Sequence, residues 1–455
     1  MGAARQGLAL ARWLVKQGAS VTLSDKRSEA ELASARATLS GLPIEWALGG
    51  HPIELLDQAD VLCLSGGIPL SLPIVEAALK RGIPLSNDTQ VFMEAAPCKT
   101  IGITGSAGKT TTTTLVGQMA KDAYGDHAYV GGNIGDPLIH YVDDMRAGDL
   151  AILEISSFQL EQMTISPNVA AILNITPNHL DRHGSMEAYT AAKARILEFQ
   201  STKDTAVLGR DDAGAWKLRS KAIGKLHSFG FSKIDENAEG TYYEDRILYL
   251  YEHRVDIPLL RRDQIQLRGD HNVSNMLAAF AIGHAAGFPL DAMLNAAEEF
   301  HGVAHRLEFV RELRGARWYN DSIATAPERT MAAIRSFDEP IVLLLGGRDK
   351  NLPWDELANL IHQRVDHVVL FGEAAEKIKK AIIRTLHSAE PVEESVTRPY
   401  TLDHVEHLED AIHKAAEAAE PGDIVLLSPG GTSFDEFKDF EERGEKFRLW
   451  VQKLL

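Results

Sequence analysis

Short apolar runs alternate with amphipathic stretches along nearly the whole chain, and the hydrophobic period switches between them. "GLALARWLVKQG" (7–18) has helical spacing, while "SVTLSD" (20–25) and "ADVLCLS" (59–65) read as strands. "LPIVEAALKRG" (72–82) reads as a helix closed by Gly82. "EAAPCKT" (94–100) is a plausible linker. Beyond it, "TIGITG" (100–105), "LAILEIS" (150–156), "NVAAILNIT" (168–176) and "DTAVLG" (204–209) are near-continuous apolar runs, the pattern of parallel strands buried on both faces. Residues 225–260 shift to a hairpin-like pattern, and 271–300 return to two alanine-rich helices. A third alternating block follows with "ARWYNDS", "PIVLLLGG", "DHVVLFG" and "DIVLLSPGG", each separated by a helix. The pattern predicts an α/β protein of three domains on mainly parallel sheets. They are a Rossmann-like 1–95, a central phosphate-loop-type 96–300 and a Rossmann-like 301–455.

Composition narrows the partners. A formal net charge of -17 argues against nucleic acid or an anionic membrane, since either needs a basic face. An anionic ligand would have to be gripped locally, by amides, a few Lys or Arg, or a metal. The two cysteines, Cys63 and Cys98, have no paired spacing, so neither a disulfide framework nor a zinc site is expected and a reducing compartment is preferred. No run of 18 apolar residues exists, so no integral membrane contact is expected, and the opening residues do not read as a signal peptide. The expectation is a cytoplasmic monomer.

The stretch "GITGSAGKT" (102–110) lies between a predicted strand and a predicted helix. That context suits a phosphate cradle: loop amides and the helix N-terminus face an anion. Lys109 would neutralise phosphate oxygens and Thr110 would offer a hydroxyl to Mg²⁺. The strict spacing asks for Gly at 103, where the chain has Ile103, so this is a variant loop; a ligand-free glycine turn is the bland alternative. Glu154 and His179 close two other predicted strands, and ligands of open parallel sheets sit beyond such ends. They suit a second metal ion, against a capping or ion-pairing role for Glu154. At the start, Gly2-x-Ala4-x-x-Gly7 with Asp25 resembles a dinucleotide-fold fingerprint, but the strand that should precede the first glycine is absent. Either the start is truncated or the first sheet lacks a strand.

Together the motifs resemble the Mur ligases, ATP-dependent amino-acid ligases of peptidoglycan precursor synthesis. The resemblance rests on "GITGSAGKTTT", "VGGNIG", "LEISSFQLE", "NITPNHLDRH", "YTAAKARI", "RGDHNVSNMLAA", "GVAHRLE", "NDSIAT", "LLLGGRDK" and "LLSPGGTSFDEFKDFEERG". These span all three domains in the family's order. "SSFQLE" and "SFDEFKDFEERG" favour the glutamate-adding branch.

The resemblance implies ligation of glutamate, the D-enantiomer first, to UDP-N-acetylmuramoyl-L-alanine through an acyl phosphate, with ATP, two Mg²⁺ and a carbamylated Lys193. ATP would lie on Gly105, Ser106, Ala107, Gly108, Lys109, Thr110 and Thr111, with Asn272, Arg306 and Asp321. The UDP substrate would meet Ala4, Arg5, Gln6, Asp25, Arg27, Ser65, Gly66, Asn133, Ser156 and Gln159. Thr325, Lys350, Ser433 and the backbone near Phe440 would hold the amino acid, and Thr110, Glu154, His179 and Lys193 the metals. Lys109, Glu154, His179 and Lys193 form the implied catalytic group.

One departure stands out. Where many members read N-D-S-K-A-T, this chain has Ile323 in place of the lysine, and Arg329 or Arg348 are the candidate replacement cations. The swap leaves D- against L-glutamate open. A folylpolyglutamate-synthase-like ligase is a second reading. A nicotinamide-binding module is a third, which would leave Lys109, Glu154, His179 and Lys193 without a role.

Overall fold

The computed structural model describes residues 1–234, 238–386 and 398–455. It forms two compact units, one of residues 1–266 with 270–300 and one of 301–455 with 267–269. The first therefore holds both regions read as 1–95 and 96–300.

The core of the first unit is a nine-stranded sheet ordered Val255–Arg261, Ile247–Glu252, Glu239–Glu244, Lys225–Gly230, Thr205–Gly209, Val169–Ile172, Lys99–Thr104, Leu150–Glu154, Ala128–Gly132. From Glu239–Glu244 to Ala128–Gly132 every pair is parallel. The four apolar runs expected between 100 and 209 are its centre, and their residues are almost wholly buried. Gly102 is required there, because a Cβ would lie 2.6 Å from Pro167 Cγ.

The expected hairpin pattern appears as two antiparallel pairs at the sheet's edge. Lys225–Gly230 instead pairs in parallel with Glu239–Glu244. Both hairpins turn on two residues of positive φ, Asp245-Arg246 and His253-Arg254. Such turns match the twist of the flanking strands, yet lack the glycine that normally announces them. The helices Asp270–Ala286 and Leu290–Glu298 are the expected alanine-rich pair; both pack on the helix Lys109–Tyr124.

In residues 1–95 two short parallel pairs form, Val21–Asp25 with Ile44–Leu48 and Leu62–Cys63 with Leu85–Ser86. The opening residues lie between them. The Met1 ammonium donates to the Cys63 carbonyl at 2.6 Å, and Gly2 N–H donates to the Ser24 carbonyl at 2.8 Å. Ser65 N–H donates to the Met1 carbonyl at 3.1 Å. The fingerprint glycines act here: Gly2 has φ +90°, and a Cβ on Gly7 would lie 2.0 Å from the Gly2 carbonyl oxygen.

The second unit carries a six-stranded sheet ordered Glu308–Leu313, Ala316–Asn320, Ile424–Gly430, Ile341–Gly346, His367–Phe371, Thr401–His404, parallel except for its first pair. Apolar clusters fill both faces.

Candidate active site

The glycine loop follows Lys99–Thr104 and enters the helix Lys109–Tyr124. Gly108 precedes the helix at φ +80°, a conformation glycine adopts without strain, and a Cβ there would lie 2.3 Å from Asn275 Oδ1. Asn174, just beyond Val169–Ile172, fastens the loop from the side. Its carbonyl accepts from Ser106 N–H at 3.0 Å, and its Oδ1 accepts from Ala107 N–H at 2.8 Å. Lys109 Nζ folds back to the Gly105 carbonyl at 2.9 Å. Asn272, at the start of Asp270–Ala286, accepts from Asn275 Nδ2 at 3.1 Å, which puts it beside Gly108.

Strand order sets what flanks the loop. Leu150–Glu154 pairs on one side and Val169–Ile172 on the other. Glu154 is 2 % exposed; its Oε1 accepts from Asn133 Nδ2 at 3.0 Å, and its Oε2 has no hydrogen-bond partner among the described residues. A buried carboxylate oxygen left unpaired is costly unless a cation or donor meets it. His179 lies past Val169–Ile172 at φ 53°, its ring 5.2 Å from that of Phe158. It thus faces the segment that follows Glu154.

Lys193 projects from the helix Met186–Glu198 and is 1 % exposed. Its Nζ donates to the Gly105 carbonyl at 2.9 Å and the Thr104 hydroxyl at 3.3 Å. Burial first, and the Lys109 charge second, hold its pKa well below the ordinary lysine value, against the pull of Glu154. An amine so placed sheds its proton readily.

A cavity of about 330 Å³ opens in the same unit, lined by Ala4, Arg5, Gln6, Ser65, Gly66, Gly67, Asp88, Asn133 and Gln159. Seven of these were expected to meet the UDP substrate. Gln6 Nε2 donates to the Gly132 carbonyl at 2.7 Å, which ties the first residues to the central sheet. Gln159 is fixed by a capping box with Ser156 and by its Nε2 donating to Thr89 Oγ1 at 2.7 Å. Ser156 supports this wall without lining it. Asp25 and Arg27 are also outside the lining; they form a two-pronged pair, Nε to Oδ1 at 3.0 Å and Nη2 to Oδ2 at 2.8 Å. That pairing with Arg27 holds the Asp25 carboxyl well below the usual range. Asp88 lines the cavity although sequence reasoning missed it, and burial raises its pKa. Its one signal was Asn87 capping the helix Asp88–Ala95.

The second unit gathers the remaining expected residues. Asp321 accepts from Ser428 Oγ at 2.9 Å and from Leu307 N–H at 3.2 Å; burial pushes its pKa up to about 7, opposed by Arg306 and Arg329. Lys350 Nζ donates to Thr325 Oγ1 at 3.2 Å. Burial, then the charges of Arg329 and Arg443, lower its pKa. Ser433 is 2 % exposed, at the start of the turn that leads to the helix Phe440–Lys453. Arg443, missed by sequence reasoning, is fully buried: it donates to Ser322 Oγ at 3.0 Å, the Ser322 carbonyl at 2.9 Å and the Gly431 carbonyl at 3.1 Å. Ser322 Oγ in turn donates to the Phe440 carbonyl at 2.8 Å. Of the two candidate replacement cations, Arg348 is committed to Glu373 by two bonds of 2.8 and 2.9 Å. Arg329 donates to the Ile323 carbonyl at 3.4 Å and acts electrostatically on both Lys350 and Asp321.

Three family descriptions match the chain: a Mur ligase MurD-like N-terminal domain over residues 1–87, a Mur ligase middle domain over 103–283, and a Mur ligase glutamate ligase domain over 305–431. The UDP-N-acetylmuramoylalanine–D-glutamate ligase of Symbiobacterium thermophilum is 39% identical over 455 residues, covering 100% of this chain and 97% of its own. That of Acidobacterium capsulatum is 40% identical over 451 residues, covering 98% and 94%. Among solved structures, the UDP-N-acetylmuramate-alanine ligase MurC of Thermotoga maritima superposes with a TM-score of 0.57 at 19% identity, covering 99% of this chain and 98% of its own. MurF of Acinetobacter baumannii gives 0.56 at 20% identity, covering 80% and 78%.

Proposed function

The chain belongs to the Mur ligase family, and on that premise we propose that it is the ATP-dependent ligase joining D-glutamate to UDP-N-acetylmuramoyl-L-alanine in peptidoglycan precursor synthesis. The functional division is 1–95 for the UDP moiety, 96–300 for ATP and 301–455 for the amino acid. One observation carries the reading: Asn133 lines the acceptor cavity and donates to Glu154 at the edge that bears the phosphate loop. Acceptor and nucleotide sites thereby share a residue pair, as transfer between their ligands requires.

In the reaction, the alanyl carboxylate attacks the γ-phosphorus of ATP and the bond to ADP breaks. The glutamate amine then attacks the acyl phosphate carbonyl; phosphate leaves and the amine proton goes to solvent or base. The Gly108–Thr111 amides and Lys109 hold the phosphates, the Ser106 and Ala107 N–H groups being committed to Asn174, and Asn272 is a further ATP contact. Ala4–Gln6, Ser65, Gly66, Asn133 and Gln159 orient the acceptor. Thr325, Lys350, Ser433 and the Phe440 backbone receive glutamate, whose two carboxylates suit the Arg329 and Lys350 charges.

Mg²⁺ fits the donor set: the unpartnered Glu154 Oε2 asks for a cation, and Thr110, His179 and a carbamate on Lys193 would join it. When bound, the ions screen the phosphate and carboxylate charges. The carbamate forms when the neutral Lys193 amine attacks the carbon of CO₂; an N–C bond forms and a proton is released. The group changes from a neutral amine to an anion, which would lie beside the Lys109 charge. ADP release with ATP, Mg²⁺ and UDP-N-acetylmuramoyl-L-alanine tests the assignment. D-glutamate should drive turnover; L-glutamate, D-aspartate and no amino acid should not. Turnover with L-glutamate alone would overturn the stereochemical assignment, and silence throughout would overturn the ligase.

A further inference from the structure

Toward the amino-terminal ends of strands Lys225–Gly230 and Glu239–Glu244, three imidazoles and two carboxylates face one cavity of about 300 Å³. His227 comes from Lys225–Gly230 and Glu239 from the start of Glu239–Glu244. Glu252 and His253 come from the second hairpin turn, and His284 from the last turn of Asp270–Ala286. Ligand atoms of His227, Glu239 and His284 all lie within 4.8 Å of one another. His227 Nε2 is 3.4 Å from Glu239 Oε2, and the His227 and His284 rings are 5.3 Å apart. His284 Nε2 is 3.4 Å from Glu252 Oε1, and His253 Nδ1 is 3.5 Å from Glu239 Oε1.

His227 is the telling residue. It is 4 % exposed, and its Nδ1 has no hydrogen-bond partner among the described residues. A buried imidazole normally satisfies both nitrogens, so this one is left with an open demand. Donors around a tetrahedral ion lie about 3.4 Å from one another, so small side-chain rotations would close the set. Lys203 and Lys225 also line the cavity but are exposed, so their ammonium groups can stay in water.

We propose that His227, Glu239 and His284 bind a divalent transition metal of the zinc type, with Glu252 and His253 as outer partners. Two imidazoles and a carboxylate suit zinc, whereas Mg²⁺ prefers oxygen donors. His284 and Asn272 are twelve residues apart on one helix, about 18 Å, so the site is separate from the ligase centre. An ion there would tie Lys225–Gly230 and Glu239–Glu244 to the helix whose other end meets the phosphate loop.

Titration of Zn²⁺ into the full chain, with excess Mg²⁺ and a non-hydrolysable ATP analogue occupying the ligase centre, tests this. One Zn²⁺ per chain should bind and raise the melting temperature. Glu239→Gln and His284→Gln, both partly exposed, should keep their ADP release yet weaken binding by more than about 100-fold, beyond the loss of an outer partner. Co²⁺ in place of Zn²⁺ should give the visible absorption of a tetrahedral site in the wild type alone. Absence of stoichiometric Zn²⁺ uptake, or uptake that both variants leave unchanged, overturns the site.

Discussion

Lys193 and Arg443 are both cations sealed from water, one in each compact unit, and their surroundings have opposite consequences. Lys193 donates to a carbonyl and a hydroxyl and lies 4.8 Å from the centre of the Tyr189 ring, with Lys109 close by, and its pKa falls well below the ordinary value. Arg443 meets three oxygens with its planar fork, and burial brings its pKa down only to about 10, so it stays charged at neutral pH. Burial thus leaves the amine readily deprotonated and the guanidinium a fixed charge. The intrinsic basicity of the group decides which.

The sharpest way to break this comparison is at Lys193. Lys193→Ala should lower turnover by about 10²- to 10³-fold, the scale of a lost charge-stabilising group. A short-chain carboxylate should restore part of it by standing where the carbamate would, and a variant with wild-type turnover would remove the carbamate assignment. Arg443→Met should leave the Ser322 and Gly431 oxygens unsatisfied and cost about 3 kcal/mol of stability. Calorimetry should find that loss in the melting of the second unit, and an unchanged profile would mean the fork is dispensable.

A smaller effect separates two exposed-side cations. Arg329→Ala should raise KM for D-glutamate about tenfold, equivalent to ~1.4 kcal/mol, while Arg348→Ala, whose partner is Glu373, should stay within about twofold. The reverse order in steady-state kinetics would reassign the cation that replaces the missing lysine. The smallest effect extends the comparison to a buried acid. Burial raises the Asp321 pKa from 3.8 to about 7, so the folded chain holds a proton that the unfolded chain has lost. Its contribution to stability is full below pH ~4 and disappears as pH climbs to ~7. Asp321→Asn should flatten the melting temperature across that window in the ligand-free protein; an unchanged slope would place the titration elsewhere.

The strand–loop–helix expected to cradle phosphate was legible because its signal is local: strand, glycines, Lys109 and helix occupy one continuous segment. Glu154 and His179 were legible as strand ends, since strand order in a parallel sheet puts such ends together. The cavity proposed for the acceptor was not readable from spacing. Its walls come from positions 4–6, 65–67, 88, 133 and 159, and only the family resemblance linked most of them. Asp25 carried a fingerprint and is paired with Arg27. The two-residue turns at 245–246 and 253–254 went unannounced because Asp and His tolerate positive φ without being turn signals as strong as glycine.

Alternating apolar runs and amphipathic stretches determined, by themselves, an α/β chain on mainly parallel sheets, because backbone hydrogen bonding and apolar burial act on neighbours. Which cation is reactive and which is fixed, which arginine stands near the Ile323 substitution, and where His227 meets Glu239 and His284 were decided by the tertiary structure. Those properties depend on desolvation and charge between residues tens to hundreds of positions apart, and neither quantity exists until the chain has folded.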